Sequence, residues 1–234
     1  MDKLLVALDV ETGERALRLA ADLRGLAGGV KVGSRLFTLE GPTLVRRLVD
    51  AGHRVFLDLK FHDIPNTVAQ AVDAAVLTGA WMINVHASGG TAMMRAAAEA
   101  AAEAAKEFGI PRPICLGVTV LTSLGRAALQ HDLGLASSVE GHVVHLAERA
   151  REAGLDGCVA SPHEIRRLRS LMPRTWVIVT PGVRPAGGGA DDQVRTATPA
   201  AAIRAGADYL VVGRPITAAP DPAAAARGIL EQMA

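Results

Sequence analysis

Three charged residues, Asp58, Lys60 and Asp63, lie within six positions of the chain. The apolar run over residues 55–59 predicts a β-strand, and strand side chains alternate between two faces. Asp58 and Lys60 therefore share one face of a buried element, and Asp63 follows where the strand ends. Buried charges are costly unless they are paired or functional. An ammonium group held among carboxylates could stabilise a developing negative charge and then deliver a proton.

A structural ion pair between Asp58 and Lys60 is the alternative interpretation, because perturbed charges also occur in purely structural networks. The third charge, Asp63, favours a functional role, since parallel α/β proteins place their chemistry at the carboxyl ends of strands. The other face of this strand is apolar and suited to packing under a helix; it carries Leu57, Leu59 and Phe61.

Strand-like and helix-like segments alternate along the whole chain, which predicts a parallel sheet. Eight units of even size, without a linker, favour one (β/α)8 TIM barrel domain over residues 1–234, and no G-x-G-x-x-G follows the first strand. The predicted strands are 4–9, 29–33, 54–60, 82–86, 114–120, 157–160, 176–180 and 209–212. The predicted helices are 14–26, 42–51, 67–78, 91–108, 139–153, 162–171, 199–205 and 222–232.

Polar residues also mark the ends of the other predicted strands. In a closed barrel these ends converge on one mouth, where they would line a polar pocket on an apolar scaffold. Each residue is weak support alone, but together they predict a ligand site. They are Asp9, Lys31, Asn84, His86, Thr122, Ser123, Arg184 and Arg214.

The loops after the seventh and eighth strands have the composition of a phosphate site. Gly182 and Gly213 would let backbone N–H groups approach an anion, and Arg184 and Arg214 could contact its oxygens. Glycines needed only for turns are the alternative. The long connections 121–138 and 183–198 are expected to be binding loops or, alternatively, tolerated surface insertions.

The composition excludes several classes of partner and site. The formal net charge of +1 and an aromatic content of 3% argue against nucleic acid and membrane partners. Cys115 and Cys158 each lie in an apolar run and are expected to be reduced core residues. The histidines are scattered without metal-ligand spacing, so no metal site is predicted. Without a signal peptide or membrane span, we expect a cytoplasmic protein.

Residues 58–67, DLKFHDIPNT, resemble the D-x-K-x-x-D-I-x-x-T signature of the orotidine 5′-monophosphate decarboxylase family. Related barrels that act on sugar phosphates share only the D-x-K-x-x-D core. The resemblance covers the whole chain and continues in register at residues 8–9, 31–33, 121–123, 180–184, 193 and 212–216.

By this resemblance, the chain would convert orotidine 5′-monophosphate to UMP and CO2, the last step of de novo pyrimidine biosynthesis. Lys60 would protonate C6 of the product, within an alternating network of Lys31, Asp58, Lys60 and Asp63. Asp63 and Thr67 would reach the neighbouring subunit's site, which implies a homodimer.

The resemblance also assigns the substrate contacts and implies no metal or organic cofactor. Asp9 and Lys31 would hold ribose hydroxyls, and Thr122 or Ser123 would meet the pyrimidine ring. Asp58 would face the substrate carboxylate. The phosphate would be held by Arg184, Gln193, Gly213 and Arg214.

Two other functions stay open at this point. One is a metal-dependent sugar-phosphate decarboxylase, aldolase or epimerase of the same architecture, which chelators would inhibit. The other is a nucleotide-binding barrel without activity, which would bind nucleotides and release no CO2.

Overall fold

Eight parallel β-strands form a closed barrel in the computed structural model, which describes residues 2–185 and 195–234. Each strand pairs with its sequence neighbours, and β1 pairs with β8 in a register that matches Leu4 with Leu210. The fold is the predicted (β/α)8 barrel. The strands are β1 (Leu4–Ala7), β2 (Gly29–Gly33), β3 (Val55–Phe61), β4 (Met82–His86), β5 (Ile114–Val118), β6 (Gly157–Val159), β7 (Val177–Thr180) and β8 (Tyr209–Val212).

Helices follow the strands and pack around the barrel. Short 3-10 turns at Ala87–Gly89 and Pro162–Glu164 lead into two of them. Within the described ranges the α-helices are α1 (Gly13–Asp22), α2 (Ser34–Asp50), α3 (Pro65–Val76), α4 (Thr91–Glu107), α5 (Arg126–His131), α6 (Val139–Glu152), α7 (Ile165–Leu171), α8 (Pro199–Ala205), α9 (Arg214–Thr217) and α10 (Pro222–Met233).

Every predicted strand overlaps an observed one, but two helical regions differ from the prediction. Helix α2 begins at Ser34 rather than at residue 42, and it is interrupted at Gly41, whose φ is 63°. The Gly41-Pro42 pair marks the start of only the second half, because proline suits a first helical turn. The connection 121–138, predicted to be a loop, contains the short helix α5.

Local sequence signals fix many helix ends. The Thr12 side chain accepts a hydrogen bond from the Arg15 N–H at the start of α1, and Ser138 does the same for Gly141 at α6. Glycines follow the ends of several helices and adopt the left-handed conformation, which glycine accepts without steric cost. They are Gly52, Gly79, Gly109, Gly154 and Gly206.

The two faces of each strand contribute to two separate apolar cores. Phe56, Met82 and Leu116 are buried inside the barrel, whereas Leu57 is buried in the layer between barrel and helices. Leu59 and Phe61 pack against that outer layer. The strand face predicted to lie under a helix is therefore confirmed.

Aspartates directly before β6 and β8 tie the amino ends of the strands together. Asp156 accepts a hydrogen bond from the Cys115 backbone N–H at 2.7 Å and pairs with Arg112 at 2.8 Å. Asp208 accepts from the Ile178 N–H at 2.7 Å and pairs with Arg169. Each aspartate therefore satisfies a strand N–H at the bottom of the barrel.

Both cysteines are buried and free, as expected, and burial raises the pKa of each thiol to about 12. Across residues 2–185 and 195–234, no helix combines the length and apolar character needed to cross a bilayer. The cytoplasmic location stays a prediction.

Gly157 is required by close packing between β6 and β7. An added Cβ would lie 2.2 Å from the Val177 carbonyl oxygen and 2.9 Å from Leu116 Cδ2. We expect Gly157→Ala to lower the free energy of unfolding by about 1–3 kcal/mol through overpacking. Urea unfolding followed by circular dichroism measures the change.

Gly228→Ala is the matched control, because nothing lies within 4 Å of a Cβ at this position inside α10. The better helix propensity of alanine should raise stability there by about 0.5–1 kcal/mol. Equal effects of the two substitutions would contradict the packing account.

Candidate active site

A chain of alternating charges lies at the carboxyl ends of the first three strands. Lys31 Nζ is 3.4 Å from Asp9 Oδ1 and 3.2 Å from Asp58 Oδ2. Lys60 Nζ is 2.6 Å from Asp58 Oδ1. The side chains of Lys31 and Asp58 are only 11% and 10% exposed, whereas those of Lys60 and Asp9 are 33% and 57% exposed. Asp58 is thus a buried carboxylate between two ammonium groups.

Asn84 on β4 holds Asp58 and Lys60 together. Its Nδ2 donates to Asp58 Oδ1 at 2.7 Å, and its Oδ1 accepts from the Lys60 backbone N–H at 2.8 Å. Asn84 is fully buried, so both of its polar ends are satisfied inside the protein. The amide therefore fixes the acid and the backbone of the base at once.

The end of β3 departs from regular strand geometry at Lys60. Its φ is 53°, in the left-handed region that non-glycine residues rarely adopt, and the register with β4 shifts between Leu57 and Phe61. Such strain costs about 1–3 kcal/mol and is typical of functional sites. In this irregular conformation, the Lys60 backbone N–H donates a hydrogen bond to the Asn84 side chain, and the Lys60 ammonium group contacts Asp58.

Burial and neighbouring charges oppose each other in this cluster, and the charges dominate. Burial alone would raise the pKa of Asp58, but Lys31, Lys60 and Asn84 outweigh it and lower this pKa to about 2. Burial would likewise lower the pKa of Lys31, but Asp58 and Asp9 leave it raised. Asp58 and Lys31 are therefore both charged at neutral pH.

His86 lies beside the cluster at the end of β4. Its ring centroid is 5.3 Å from that of His62. Burial, followed by the charges of His62 and Lys60, lowers the pKa of His86. The imidazole is therefore neutral at pH 7 and adds no further positive charge beside Lys60.

A cavity of about 440 Å³ opens at this end of the barrel, and all four residues of the charge chain line it. Its floor is apolar, with Ala7, Phe56, Val118, Val159 and Val211. This combination of an apolar floor with a few convergent polar groups is typical of a small-molecule site. The rest of its lining comes from loops and strand ends, with Val120, Leu121, Thr122, Ala160, Pro181, Gly182, Arg184, Gly213 and Arg214.

The loops after β7 and β8 meet at one side of this cavity. Gly182 adopts the left-handed conformation, with φ of 76°, and Gly213 precedes α9. Arg184 and Arg214 also line the cavity. Helix α9 is a single turn of four residues, so its dipole adds little positive potential at this side of the cavity.

The structure brings together most of the residues predicted for the site. Asp63 and Thr67 are exposed and lie outside the cavity lining, and Asp63 Oδ1 accepts from the Ile64 N–H at 2.6 Å. Thr122 lines the cavity, whereas Ser123 is exposed beside it. Gln193 lies outside the described residues.

A family model described as "Orotidine 5′-phosphate decarboxylase / HUMPS family" matches residues 2–229. The chain belongs to this family. Among curated relatives, the orotidine 5′-phosphate decarboxylase of Moorella thermoacetica is 55% identical over 232 residues, which is 99% of this chain and 92% of that protein. The orotidine 5′-phosphate decarboxylase of Syntrophotalea carbinolica is 53% identical, covering 99% of this chain and 95% of that protein.

Solved structures show the same relationship. The crystal structure of orotidine 5′-phosphate decarboxylase from Lactobacillus acidophilus superimposes with a TM-score of 0.87 at 35% identity. The superposition covers 99% of this chain and 98% of that one. The two chains therefore share the same fold along almost their entire lengths.

The role of Asn84 in this family member was not evident from the sequence. An amide inside the apolar run of β4 was a signal that something polar faced it, but its bridge between Asp58 and Lys60 depends on the register of two strands. In the described ranges, no three His, Cys, Asp or Glu side chains are grouped so that they could hold a metal ion.

The low pKa of Asp58 predicts a specific acid sensitivity of this family member. Folding lowers this pKa from 3.8 to about 2, which corresponds to about 2 kcal/mol of stability. Because the folded-state value is the lower one, the contribution is complete above pH of about 4 and is lost as the pH falls towards 2. Unfolding free energies measured between pH 2 and 5 should show this loss.

The Asp58→Asn variant is the control for this experiment, because the asparagine side chain has no ionisable group. The variant's stability should depend less on pH over this interval, by about 2 kcal/mol, than that of the native chain. An NMR titration that places the Asp58 carboxyl pKa near 4 would contradict the electrostatic account.

Proposed function

We propose that this chain decarboxylates orotidine 5′-monophosphate to UMP and CO2, with Lys60 donating the proton to C6 and without a cofactor. One observation carries the proposal: the Lys60 ammonium group contacts a buried carboxylate inside the cavity of a chain that belongs to this family. The relatives' activity supports the substrate, and the geometry supports the roles of the residues.

The chemistry requires a group that can stabilise a localised carbanion. When the bond between C6 and the carboxylate breaks, its electron pair stays on a vinylic carbon that has no π-system to receive it. A fixed ammonium beside that carbon stabilises the charge most in the transition state and then transfers one proton to C6. Solvent restores the proton to Lys60.

Asp58 has two roles in this proposal. It positions Lys60 through the contact of 2.6 Å, and it faces the substrate carboxylate. Two like charges about 4 Å apart at an effective dielectric constant near 20 repel by about 4 kcal/mol. Departure of neutral CO2 removes this repulsion, and the pKa of about 2 means that Asp58 is ionised at neutral pH before substrate binds.

In this proposal, different residues of the cavity lining hold the three parts of the substrate. Asp9 and Lys31, at the ends of β1 and β2, would hold the ribose hydroxyls. Arg214 and Arg184, together with the backbone at Gly213, would hold the phosphate at the loops after β7 and β8, the second of which adjoins the end of β1. Gln193, predicted to contact the phosphate, stays a prediction.

Thr122 is the better placed of the two residues proposed for the pyrimidine end. It lines the cavity after β5, whereas Ser123 is exposed. The Thr122 hydroxyl can donate and accept hydrogen bonds, as recognition of a pyrimidine edge requires.

A homodimer with shared sites is part of the proposal. The start of α3 exposes Ile64 to 67%, between the exposed Asp63 and Thr67. Single exposed apolar side chains are common on protein surfaces, so the resemblance of residues 58–67 to the family signature, and not Ile64, carries the dimer proposal. In the dimer, Asp63 and Thr67 of each subunit would complete the partner's site.

The direct test is an ultraviolet assay of orotidine 5′-monophosphate consumption. We expect the native chain to form UMP at the same rate with and without EDTA. Lys60→Ala should lose turnover by at least about a thousandfold, the upper part of the range for a proton donor, while UMP binding stays measurable. Isothermal titration calorimetry checks the binding.

The controls separate the competing functions. Inhibition by EDTA would favour the metal-dependent alternative, and binding of UMP without CO2 release would favour the inactive barrel. Near-native turnover of Lys60→Ala would remove this lysine from the mechanism.

Shared sites predict complementation between two inactive variants. An Asp63→Ala chain mixed with a Lys60→Ala chain should form heterodimers in which one site contains both native residues. We expect recovery of about one quarter of native activity from random pairing when each variant is otherwise inactive and normally folded. Mass spectrometry verifies subunit exchange, and no recovery despite exchange would contradict the shared-site dimer.

A further inference from the structure

Arg195 makes a buried bridge between two parts of the barrel mouth, outside the cavity lining. Its Nη1 is 2.6 Å from Glu164 Oε1. Its Nη2 donates to the carbonyl oxygens of Val120 and Leu121 at 3.1 and 3.0 Å. Those two residues directly precede Thr122, so the guanidinium holds the backbone that carries this site residue.

The ion pair is buried on both sides. Arg195 and Glu164 are 7% and 4% exposed, and burial raises the pKa of Glu164 although the facing guanidinium opposes this. A buried ion pair is seldom the most stable choice, because apolar residues of similar volume often do as well. Two charges at this place therefore need a reason other than stability.

The backbone next to Arg195 is attached to the β7 loop. Ala197 donates to the Gly182 carbonyl oxygen at 3.2 Å, and the Arg184 N–H donates to the Ala197 carbonyl oxygen at 3.0 Å. The backbone of Arg195 thus belongs to the loop proposed to bind phosphate, while its side chain contacts the residues that follow β5. These backbone contacts do not involve the guanidinium.

We propose that Arg195 is a positioning residue that fixes the β5 loop, and with it Thr122, for binding the pyrimidine end of the nucleotide. The inference rests on the proposed function and adds a residue to it. Arginine suits the role because its planar fork reaches Glu164 and two carbonyl oxygens at once, which the single ammonium of lysine does not match.

Removing the Arg195 guanidinium should weaken the binding of the base and leave the binding of the phosphate nearly unchanged. In Arg195→Met we expect UMP affinity to fall by at least about tenfold, equivalent to about 1.4 kcal/mol. Binding of ribose 5-phosphate, which lacks the base, should change by less than about twofold, because the Ala197 contacts persist. Calorimetry with each ligand measures both, and Arg195→Lys should recover only part of the UMP affinity.

Arg112→Met is the matched control, since it breaks an arginine–aspartate pair at the other end of the barrel. It should lower the melting temperature and leave both affinities unchanged. Without ligand, amide hydrogen exchange over residues 119–125 should become faster in Arg195→Met and stay native in Arg112→Met. This measurement tests the loop even if Arg195→Met binds neither ligand.

The outcomes separate this inference from the proposed function. Native UMP affinity in Arg195→Met, or equal weakening of UMP and ribose 5-phosphate with unchanged exchange, overturns the role of Arg195 while leaving decarboxylation intact. Failure of the native chain to bind UMP or release CO2 overturns the proposed function, and the inference falls with it.

Discussion

The buried carboxylate of Asp58 is the group on which the rest of the site depends. It contacts Lys31 at 3.2 Å, Lys60 at 2.6 Å and Asn84 at 2.7 Å. These partners come from β2, β3 and β4, so three neighbouring strands must pair in one register before the charge is compensated. A carboxylate without them would be buried at a cost of several kcal/mol. The site therefore depends on the register of these strands, and an error of register in β3 would separate Asp58 from its partners.

The same network holds Lys60 in its strained backbone conformation. A residue with φ of 53° at a strand end is unfavourable by itself. Asn84 accepts the N–H that leaves the sheet, and Asp58 attracts the ammonium, so two interactions hold the strained conformation. Such a fixed charge needs little reorganisation when negative charge develops beside it, which is the physical source of electrostatic catalysis. The stability spent on strain at this strand end is thus consistent with a role for Lys60 in chemistry.

The sequence allowed prediction of the barrel and of which residues meet at its mouth, because both follow from local patterns. Apolar runs mark the strands, helix-like segments separate them, and closure then brings Asp9, Lys31 and Asp58 together. The helix before Gly41, the short α5 and the conformation of Lys60 were not predictable, since tertiary contacts decide them. The contacts of Asn84 and Arg195 likewise depend on partners 24 to 75 positions away.

Ion pairs at the two ends of the barrel differ in what their carboxylates accept. Asp156 and Asp208, at the amino ends of strands, each accept a backbone N–H, so they complete the sheet and could serve in any barrel of this shape. Asp58 accepts only from side chains among its observed partners, and two of these are cations. A carboxylate that completes a sheet needs one cation at most. The charge chain at the cavity is neutral overall, with two carboxylates and two ammonium groups, so the positive charge that suits an anionic substrate comes from Arg184 and Arg214 in the cavity lining.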